Sequence, residues 1–205
     1  MAEHLILLAA GSARRFGANK LLCPVAGKPL YAHGLAALLA AAKARPAADV
    51  TVVSRTPEIL AAARAAGARA VDSPLSGGGL SFTIRAALDS LEPLAAGDYL
   101  LFAVADQPCL SAASVTALLE QAAPPTLAAT LCVGDKVGSP TLFSASLAGK
   151  LRALEGDSGG RSVLRALGDE CLRVEAAEPR ELEDIDRPGQ LEQVCRETLS
   201  AKNHK

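Results

Sequence analysis

The stretch that decides the fold is LILLAAGSARRFGANK, residues 5–20, in which an apolar run leads directly into a loop with two glycines, two arginines and a lysine. Consecutive apolar residues, rather than alternating ones, predict a strand over 5–9 that is buried on both faces. An Ala- and Leu-rich stretch with helical spacing follows over 29–43. This order of strand, loop and helix is the unit from which parallel sheets are built.

The same order returns along the rest of the chain. Further strands are predicted over 50–54, 70–72, 99–105, 126–133 and 140–143, and further helices over 57–66, 80–91, 112–123, 146–154 and 161–167. Ser111 is a candidate N-cap for one of these helices. The pattern predicts an α/β fold with three layers (α/β/α), Rossmann-like, with a mostly parallel sheet in a single domain over 1–205.

Composition excludes several classes of protein. With 21 basic and 22 acidic residues the net charge is −1, so no overall field favours nucleic acid, and aromatics at 3% offer few stacking platforms for single strands. The five cysteines form no CxxC pair and are expected to be reduced. No apolar run reaches the roughly 20 residues of a membrane span. We expect a cytoplasmic protein that binds neither nucleic acid nor membrane.

The loop after the first strand has the composition of a site for an anionic ligand. Small residues at Ala9, Ala10 and Gly11 let a planar base or a sugar approach the backbone, and amides of a glycine-containing turn can face phosphate oxygens. Arg15 and Lys20 add positive charge where a triphosphate would lie. The loop is neither a Walker A sequence nor GxGxxG. A strand-to-helix turn with solvent-facing basic side chains remains the alternative.

Asp106 directly follows the predicted buried strand over 99–105. The carboxyl ends of parallel strands meet at one edge of a sheet, so we expect Asp106 and the loop that carries Lys20 to share that edge. Mg²⁺ prefers one or two carboxylates together with phosphate oxygens, which gives Asp106 a role there. The alternative is a turn or cap Asp before Pro108.

A glycine-rich segment, 77–79, opens the predicted helix over 80–91. Amides at such a position can bind an anion or border a base. A plain turn is the alternative. The histidines His4, His33 and His204 are isolated, and none stands in a pattern typical of a general base.

Residues 8–20 resemble the signature L-A-A-G-x-S-x-R-[FM]-G-x-x-K of the MobA/MocA-like nucleotidyltransferases. Four other segments resemble motifs of the same family: 105–108 the metal-binding [G/A]-D-[QM]-P, 79–84 the G-[LM]-x-x-S-[LIV], 138–143 the G-x-P-x-[LV]-[FI], and 184–188 the D-I-D-T-P. A further segment, 156–161, resembles the G-D-x-G-[AG]-R loop of the MocA-like members. The resemblance implies the fold of nucleotide-diphospho-sugar transferases, with a nucleotide-binding half at about 1–110 and an acceptor-binding half at about 111–195.

The resemblance also assigns site residues. The nucleotide would be bound by Leu8, Ala9, Ala10, Gly11, Ser12, Gly17, Lys20, Gly79, Leu80 and Thr83. The catalytic residues would be Lys20, Arg15 and Asp106. Mg²⁺ or Mn²⁺ would be held by Asp106 and Asp186, and the acceptor by Gly138, Pro140, Asp157 and Arg161. For Asp157 and Arg161 an exposed glycine-rich turn is the alternative.

The form Ala9-Ala10-Gly11 is similar to the A-A-G of cytidylyltransferases, whereas guanylyl-transferring relatives more often have A-G-G. The resemblance therefore implies a molybdenum cofactor cytidylyltransferase. Such an enzyme transfers CMP from CTP to Mo-molybdopterin, and its products are molybdopterin cytosine dinucleotide and pyrophosphate. Transient contact with a molybdoenzyme or its chaperone is then expected. The alternatives are a molybdenum cofactor guanylyltransferase, another phosphate-acceptor cytidylyltransferase, and a non-catalytic nucleotide-binding chaperone.

Overall fold

A computed structural model describes residues 1–10, 19–187 and 189–190 of the chain. Within these residues a seven-stranded sheet forms in the order β5-β4-β1-β6-β8-β7-β9, and β2 and β3 make a separate small hairpin. The strands are β1 (Glu3–Leu8), β2 (Pro24–Val25), β3 (Lys28–Pro29), β4 (Ala48–Ser54), β5 (Arg69–Asp72), β6 (Tyr99–Val104), β7 (Ala128–Val133), β8 (Lys136–Ser144) and β9 (Cys171–Glu175). The α-helices are α1 (Leu30–Lys43), α2 (Pro57–Ala65), α3 (Leu80–Ser90), α4 (Ala112–Leu119), α5 (Ala148–Arg152) and α6 (Gly160–Leu167).

The sheet is mostly parallel, as predicted. Strand β1 pairs in parallel with β4 and with β6, β4 pairs in parallel with β5, and β7 pairs in parallel with β9. Only β8 runs against its neighbours β6 and β7. The antiparallel turn between β7 and β8 falls at Gly134, whose φ of 55° is in the left-handed region that glycine adopts readily.

Both faces of the sheet are covered, because successive side chains of a strand point to opposite faces. Leu5 and Leu7 of β1 belong to the core cluster that includes residues of α1, α2 and α4. Ile6 and Leu8 belong to the second cluster, with residues of α3, α5 and α6. The single three-layer α/β/α domain predicted from the continuous apolar strands is thus confirmed.

The position of β1 determines where a ligand can bind. The chain passes from β1 to β4 on one side, and later returns to form β6 on the other side. In open α/β sheets the crevice outside the carboxyl ends of strands at such a switch point is the usual ligand site. Leu8, Val53 and Val104 lie in register at this edge.

Four features differ from the sequence-based expectation: the β2–β3 hairpin was not predicted, β8 begins at Lys136 rather than at residue 140, and β9 and α4 differ as follows. Strand β9 was not predicted: as the outermost strand it exposes Leu172, Arg173 and Glu175, so its sequence lacks the apolar run of a central strand. The helix expected over 112–123 ends as α4 at Leu119, and isolated turns follow up to Pro124. The division into halves at about residue 110 remains a prediction. No helix among the described residues has the length and apolarity to cross a membrane.

Candidate functional site

Three distant parts of the chain meet at the ammonium group of Lys20. Its Nζ lies 2.8 Å from Asp106 Oδ2, 3.1 Å from Asp186 Oδ1 and 2.8 Å from the carbonyl oxygen of Ile185. Lys20 and Asp106 are 86 residues apart in the sequence, and Lys20 and Asp186 are 166 apart. The structure therefore brings together the predicted lysine and both predicted metal carboxylates.

Local hydrogen bonds hold Lys20 at the edge of the sheet. Lys20 begins a short 3-10 turn, Lys20–Leu22, and Asn19 caps this turn by accepting a hydrogen bond from the amide of Leu21 at 3.1 Å. The amide of the Asn19 side chain donates to the hydroxyl of Thr56 at 2.9 Å, just after β4. The lysine side chain is only 12% exposed. It is thus anchored from β4 and directed towards β6.

Asp106 and the segment 184–186 are joined through the backbone. The amide of Ile185 donates to the carbonyl oxygen of Asp106 at 2.9 Å, and the Ile185 side chain is 1% exposed in the core. This buried side chain fixes a segment that has no regular secondary structure. Asp186 is held next to Lys20 although its own side chain is 61% exposed.

The electrostatics of the cluster favour a charged lysine. Burial alone would lower the pKa of Lys20, but the charge of Asp106 and the hydrogen bonds to Asp106 and Asp186 together outweigh it, so the pKa is raised. The ammonium is therefore protonated at neutral pH. Each of its three N–H groups has an acceptor in the protein.

Gln107 and Asp184 extend the cluster; sequence reasoning missed Gln107 as a site residue and ranked Asp184 below Asp186 as a second metal carboxylate. Gln107 is 3% exposed, and its side-chain amide donates to Asp184 Oδ1 at 2.8 Å. Burial and the charge of Asp106 raise the pKa of Asp184, although the hydrogen bond from Gln107 acts in the opposite direction. The side-chain oxygen of Gln107, Oε1, is buried and has no hydrogen-bond partner among the described residues. The signal was present in the sequence, since both residues lie beside predicted site residues.

A cavity of about 630 Å³ opens next to this cluster. Its apolar lining comes from the central strands β1 and β6, from the helices α3, α5 and α6 on one face of the sheet, and from the turn before Glu183: Leu8, Leu80, Ile84, Phe102, Val104, Leu151, Leu164 and Leu182. Charged side chains line other parts of it: Lys136, Arg161, Arg180, Glu183, Asp184 and Asp186. The volume and the mixed lining suit a small molecule with an apolar body and polar or charged ends.

The glycine-rich segment before α3 packs against the loop before α6. Gly79 has a φ of 127°, and a Cβ there would lie 2.3 Å from the backbone carbon of Gly156. The amide of Ser81 donates to the carbonyl oxygen of Gly156 at 3.1 Å. Gly79 is therefore needed for this close approach, and Leu80 lines the cavity. Thr83 is 3% exposed and its hydroxyl donates to Ser76 at 3.0 Å, which supports the loop from beneath.

Two of the four predicted acceptor residues line the cavity. Gly138 and Arg161 line it, and Arg161 donates to the carbonyl oxygen of Val137 at 3.2 Å. Pro140 is buried in β8 and follows a cis peptide bond. Asp157 is exposed on the loop that packs against Gly79.

Of the predicted nucleotide-binding residues, Leu8 lines the cavity and Ala9 and Ala10 are buried directly after β1. Gly11, Ser12, Arg15 and Gly17 lie outside the described residues. Their roles remain predictions.

The two described histidines lie away from the cluster. His4 is at the opposite, amino edge of the sheet, where its ring lies 2.7 Å from Asp49. The ring of His33 lies 2.9 Å from the carbonyl oxygen of Val25. Neither lines the cavity.

The donor set of the cluster fits a hard cation that shares its ligands with a substrate. Among the described residues there is no group of three or more His, Cys, Asp or Glu side chains that could by itself hold a metal ion. Asp106 and Asp186, however, both contact a single nitrogen atom, so their carboxylates converge on one point. A Mg²⁺ site of one or two carboxylates completed by phosphate oxygens needs no more from the protein.

Two curated proteins resemble this chain, one over nearly its whole length and one over a short segment. The purine catabolism protein PucB of Bacillus subtilis is 30% identical over 204 residues, covering 93% of this chain and 95% of that protein. A 2-C-methyl-D-erythritol 4-phosphate cytidylyltransferase of Parasynechococcus marenigrum is 62% identical, but only over 40 residues, or 18% of each chain.

A nucleotidyl transferase from Methanothermobacter thermautotroptrophicus has the same fold, with a TM-score of 0.80 at 22% identity over 98% of this chain and 99% of that one. The model of the MobA-like NTP transferase domain matches residues 5–171, from the first strand of the large sheet to the start of its last. Because that match extends over most of the chain, the protein belongs to the MobA-like NTP transferase family and is a nucleotidyltransferase.

Proposed function

We propose that the chain is a molybdenum cofactor cytidylyltransferase, which transfers CMP from CTP to Mo-molybdopterin and releases pyrophosphate. The observation that carries this proposal is the convergence of Lys20, Asp106 and Asp186 beside a cavity with a mixed lining. Phosphoryl-type transfer requires alignment of the reacting oxygens and compensation of charge rather than covalent work by the protein. The cluster supplies charge compensation, and the cavity can align the second substrate.

In this mechanism Lys20 stabilises the negative charge that develops on the pyrophosphate as it leaves. Arg15, from the loop outside the described residues, would share this role. The acceptor phosphate is already anionic at neutral pH, so the attack needs no general base. This agrees with the positions of His4 and His33, which do not line the cavity.

Asp106 and Asp186 are the residues that would hold Mg²⁺ or Mn²⁺. When bound, the ion would supply Lewis-acid compensation of phosphate charge. Asp106 has the position for this because its backbone is fixed to Ile185 and its carboxylate points at Lys20. Gln107 holds the neighbouring Asp184 and so helps to keep the segment 184–186 in place.

Cytidine is favoured over guanosine because Ala9-Ala10-Gly11 resembles the A-A-G form of cytidylyltransferases, in which the methyl group of Ala10 would narrow the space beside the base. The short but strong similarity to a cytidylyltransferase supports the same choice. The acceptor is assigned by the motifs at 138–143 and 156–161, both of which contribute to the cavity lining. The setting we propose is the cytoplasm, with transient transfer of the product to a molybdoenzyme or its chaperone.

The decisive experiment is pyrophosphate release with each of the four NTPs, with and without Mo-molybdopterin. We expect release with CTP that depends on the acceptor. A preference for GTP would make the protein a guanylyltransferase of the same cofactor, and release only with another phosphorylated acceptor would make it a different cytidylyltransferase. Nucleotide binding without release under any combination would favour a non-catalytic chaperone.

A further inference from the structure

The ammonium of Lys20 is saturated in this structure. Its three N–H groups point to three protein oxygens, on Asp106, Ile185 and Asp186, at 2.8, 2.8 and 3.1 Å. An ammonium has three donors and no more. Lys20 therefore cannot bind a phosphate oxygen unless it first releases at least one of these partners.

The same ammonium lies where a cation bound by both carboxylates would have to lie. Asp106 Oδ2 and Asp186 Oδ1 both face the Lys20 nitrogen, so an ion that bridged them would occupy the space between them. A divalent ion and an ammonium would repel each other in this site, where the side chains of Lys20 and Asp106 are only 12% and 23% exposed. Occupancy by one cation therefore opposes occupancy by the other.

From this conflict we infer that Lys20 acts as an internal counter-ion that selects the nucleotide-bound form of the divalent cation. The inference rests on the proposed function, because it takes Asp106 and Asp186 as the carboxylates that hold the ion. Without nucleotide, Lys20 contacts both carboxylates, offsets part of their negative charge and opposes the binding of a free ion at the same place. Nucleotide phosphates provide new acceptors for the ammonium, so Lys20 can leave the carboxylates without losing a hydrogen-bonding partner.

The exchange leaves neither carboxylate without a cationic partner at any stage. Before nucleotide binds, the carboxylates are paired with Lys20; afterwards they are paired with the divalent ion, and Lys20 is paired with phosphate. An unpaired charge would be costly at Asp106 in particular, because its side chain is only 23% exposed. Metal and nucleotide binding are then positively coupled, and the coupling is reciprocal.

The test is Mn²⁺ binding to the full chain without nucleotide, measured by electron paramagnetic resonance. We expect wild-type protein to bind Mn²⁺ weakly and Lys20→Met to bind it about tenfold or more tightly, because the competing positive charge has been removed. With CTP present, wild-type affinity should rise by at least the same factor. Wild-type affinity that is unchanged by CTP, or Lys20→Met affinity equal to or below wild type, would overturn the inference.

Two further variants make the result specific. Lys43→Met removes an exposed lysine from the last turn of α1, at the opposite edge of the sheet, and should leave Mn²⁺ binding unchanged. Adding Asp186→Asn to Lys20→Met should abolish the increase in Mn²⁺ affinity. If the increase persisted in the double variant, the additional ion would be bound elsewhere and the inference would be refuted. Circular dichroism melting of each variant verifies that it is folded.

This test does not depend on which nucleotide or acceptor is used in turnover. If Mn²⁺ binds as expected but CTP is not turned over, the proposed cytidylyl transfer fails while the counter-ion role stands. If CTP is turned over but Lys20→Met does not bind Mn²⁺ more tightly, the counter-ion role fails alone.

Discussion

The two ends of the cavity are built in different ways. At the end next to β1 and β6, Lys20 is 12% exposed and is held by short hydrogen bonds to residues far away in the sequence. At the other end, Asp157 is exposed on the loop before α6, and Arg161, exposed in the first turn of α6, donates to one backbone carbonyl at 3.2 Å. In the proposed function the first end is preorganised for a constant task, compensation of phosphate charge, which is the arrangement that favours catalysis. The second end leaves its polar side chains available to a variable partner, which in the proposed function is the acceptor.

The comparison predicts that substitutions at the first end affect the chemical step most. Asp106→Asn keeps the shape of the side chain but removes the charge that faces Lys20, so we expect pyrophosphate release to fall by about 10²–10³-fold with little change in the melting temperature. Steady-state kinetics with CTP and acceptor measure this. Asp169→Asn, on an exposed turn before β9, is the matched control and should retain wild-type turnover. A loss below about tenfold for Asp106→Asn would show that the two ends do not differ as we describe.

Gly79→Ala tests the contact between the glycine-rich segment before α3 and the loop before α6. The new methyl group would clash with the backbone of Gly156, and a φ of 127° is strained for any L residue. We expect the free energy of unfolding to fall by about 3 kcal/mol, measured by urea denaturation. Gly149→Ala, in α5, has nothing within 4 Å of the added Cβ and should be neutral or slightly stabilising. Equal effects of the two substitutions would mean that the contact at Gly79 is not tight.

Arg161→Ala tests the exposed end. Loss of an exposed guanidinium that lines the cavity should raise the KM for the acceptor by about tenfold and leave kcat nearly unchanged, because such a group contributes binding rather than charge compensation in the reaction. Arg165→Ala lies one helical turn further along α6, is exposed, and is the control. If Arg161→Ala instead lowered kcat and left KM unchanged, Arg161 would belong to the chemistry.

The amino edge of the sheet lies opposite the candidate site and provides a comparison for its buried charges. Asp98 there is 6% exposed and accepts hydrogen bonds from the amides of Ala2 and Ala95 at 2.7 and 2.9 Å. Burial would raise the pKa of Asp98, but these two hydrogen bonds and the charge of nearby His4 lower it overall. Its ionised form therefore stabilises the fold above the unfolded pKa of about 3.9, and this contribution is lost as the pH falls through the lower folded pKa.

Asp98→Asn should thus cost about 1 kcal/mol at pH 7 and make stability less sensitive to acid below about pH 4. Urea denaturation at pH 7 and at pH 3 measures both effects, and turnover at pH 7 should stay at the wild-type level. A pH dependence identical to that of the wild type would show that Asp98 carries no such linkage.

Much of the fold follows from local pattern. The run over 5–9 and the strand over 99–105 are apolar at every position but Tyr99, and both form central strands of the sheet. Their carboxyl ends had to share an edge once the sheet was parallel, which is why the contact between Lys20 and Asp106 could be expected. The edge strand β9 could not be predicted in this way, because Arg173 and Glu175 interrupt its apolar residues and it depends on pairing with β7 for its conformation.

The candidate site shows the same limit at the level of single residues. Gln107 and Asp184 stood beside predicted residues, yet their hydrogen bond joins positions 77 residues apart, and no local pattern reports it. The buried carboxylate of Glu181 is a similar case: it accepts from the amide and the hydroxyl of Ser111, the residue that caps α4. These contacts hold the segment before Asp186 against the sheet.

By itself the sequence determined the α/β class, the mostly parallel arrangement of the strands and the residue types of the site. It could do so because apolar periodicity and the placement of glycines act over a few residues. Only the tertiary structure decided which charges meet. It placed the Lys20 ammonium among three acceptors, and it set the tightly bonded end of the cavity opposite an exposed one. The reason is physical: hydrogen bonds and ion pairs act over a few ångströms in space, whereas the residues that make them here are 77 to 166 positions apart along the chain.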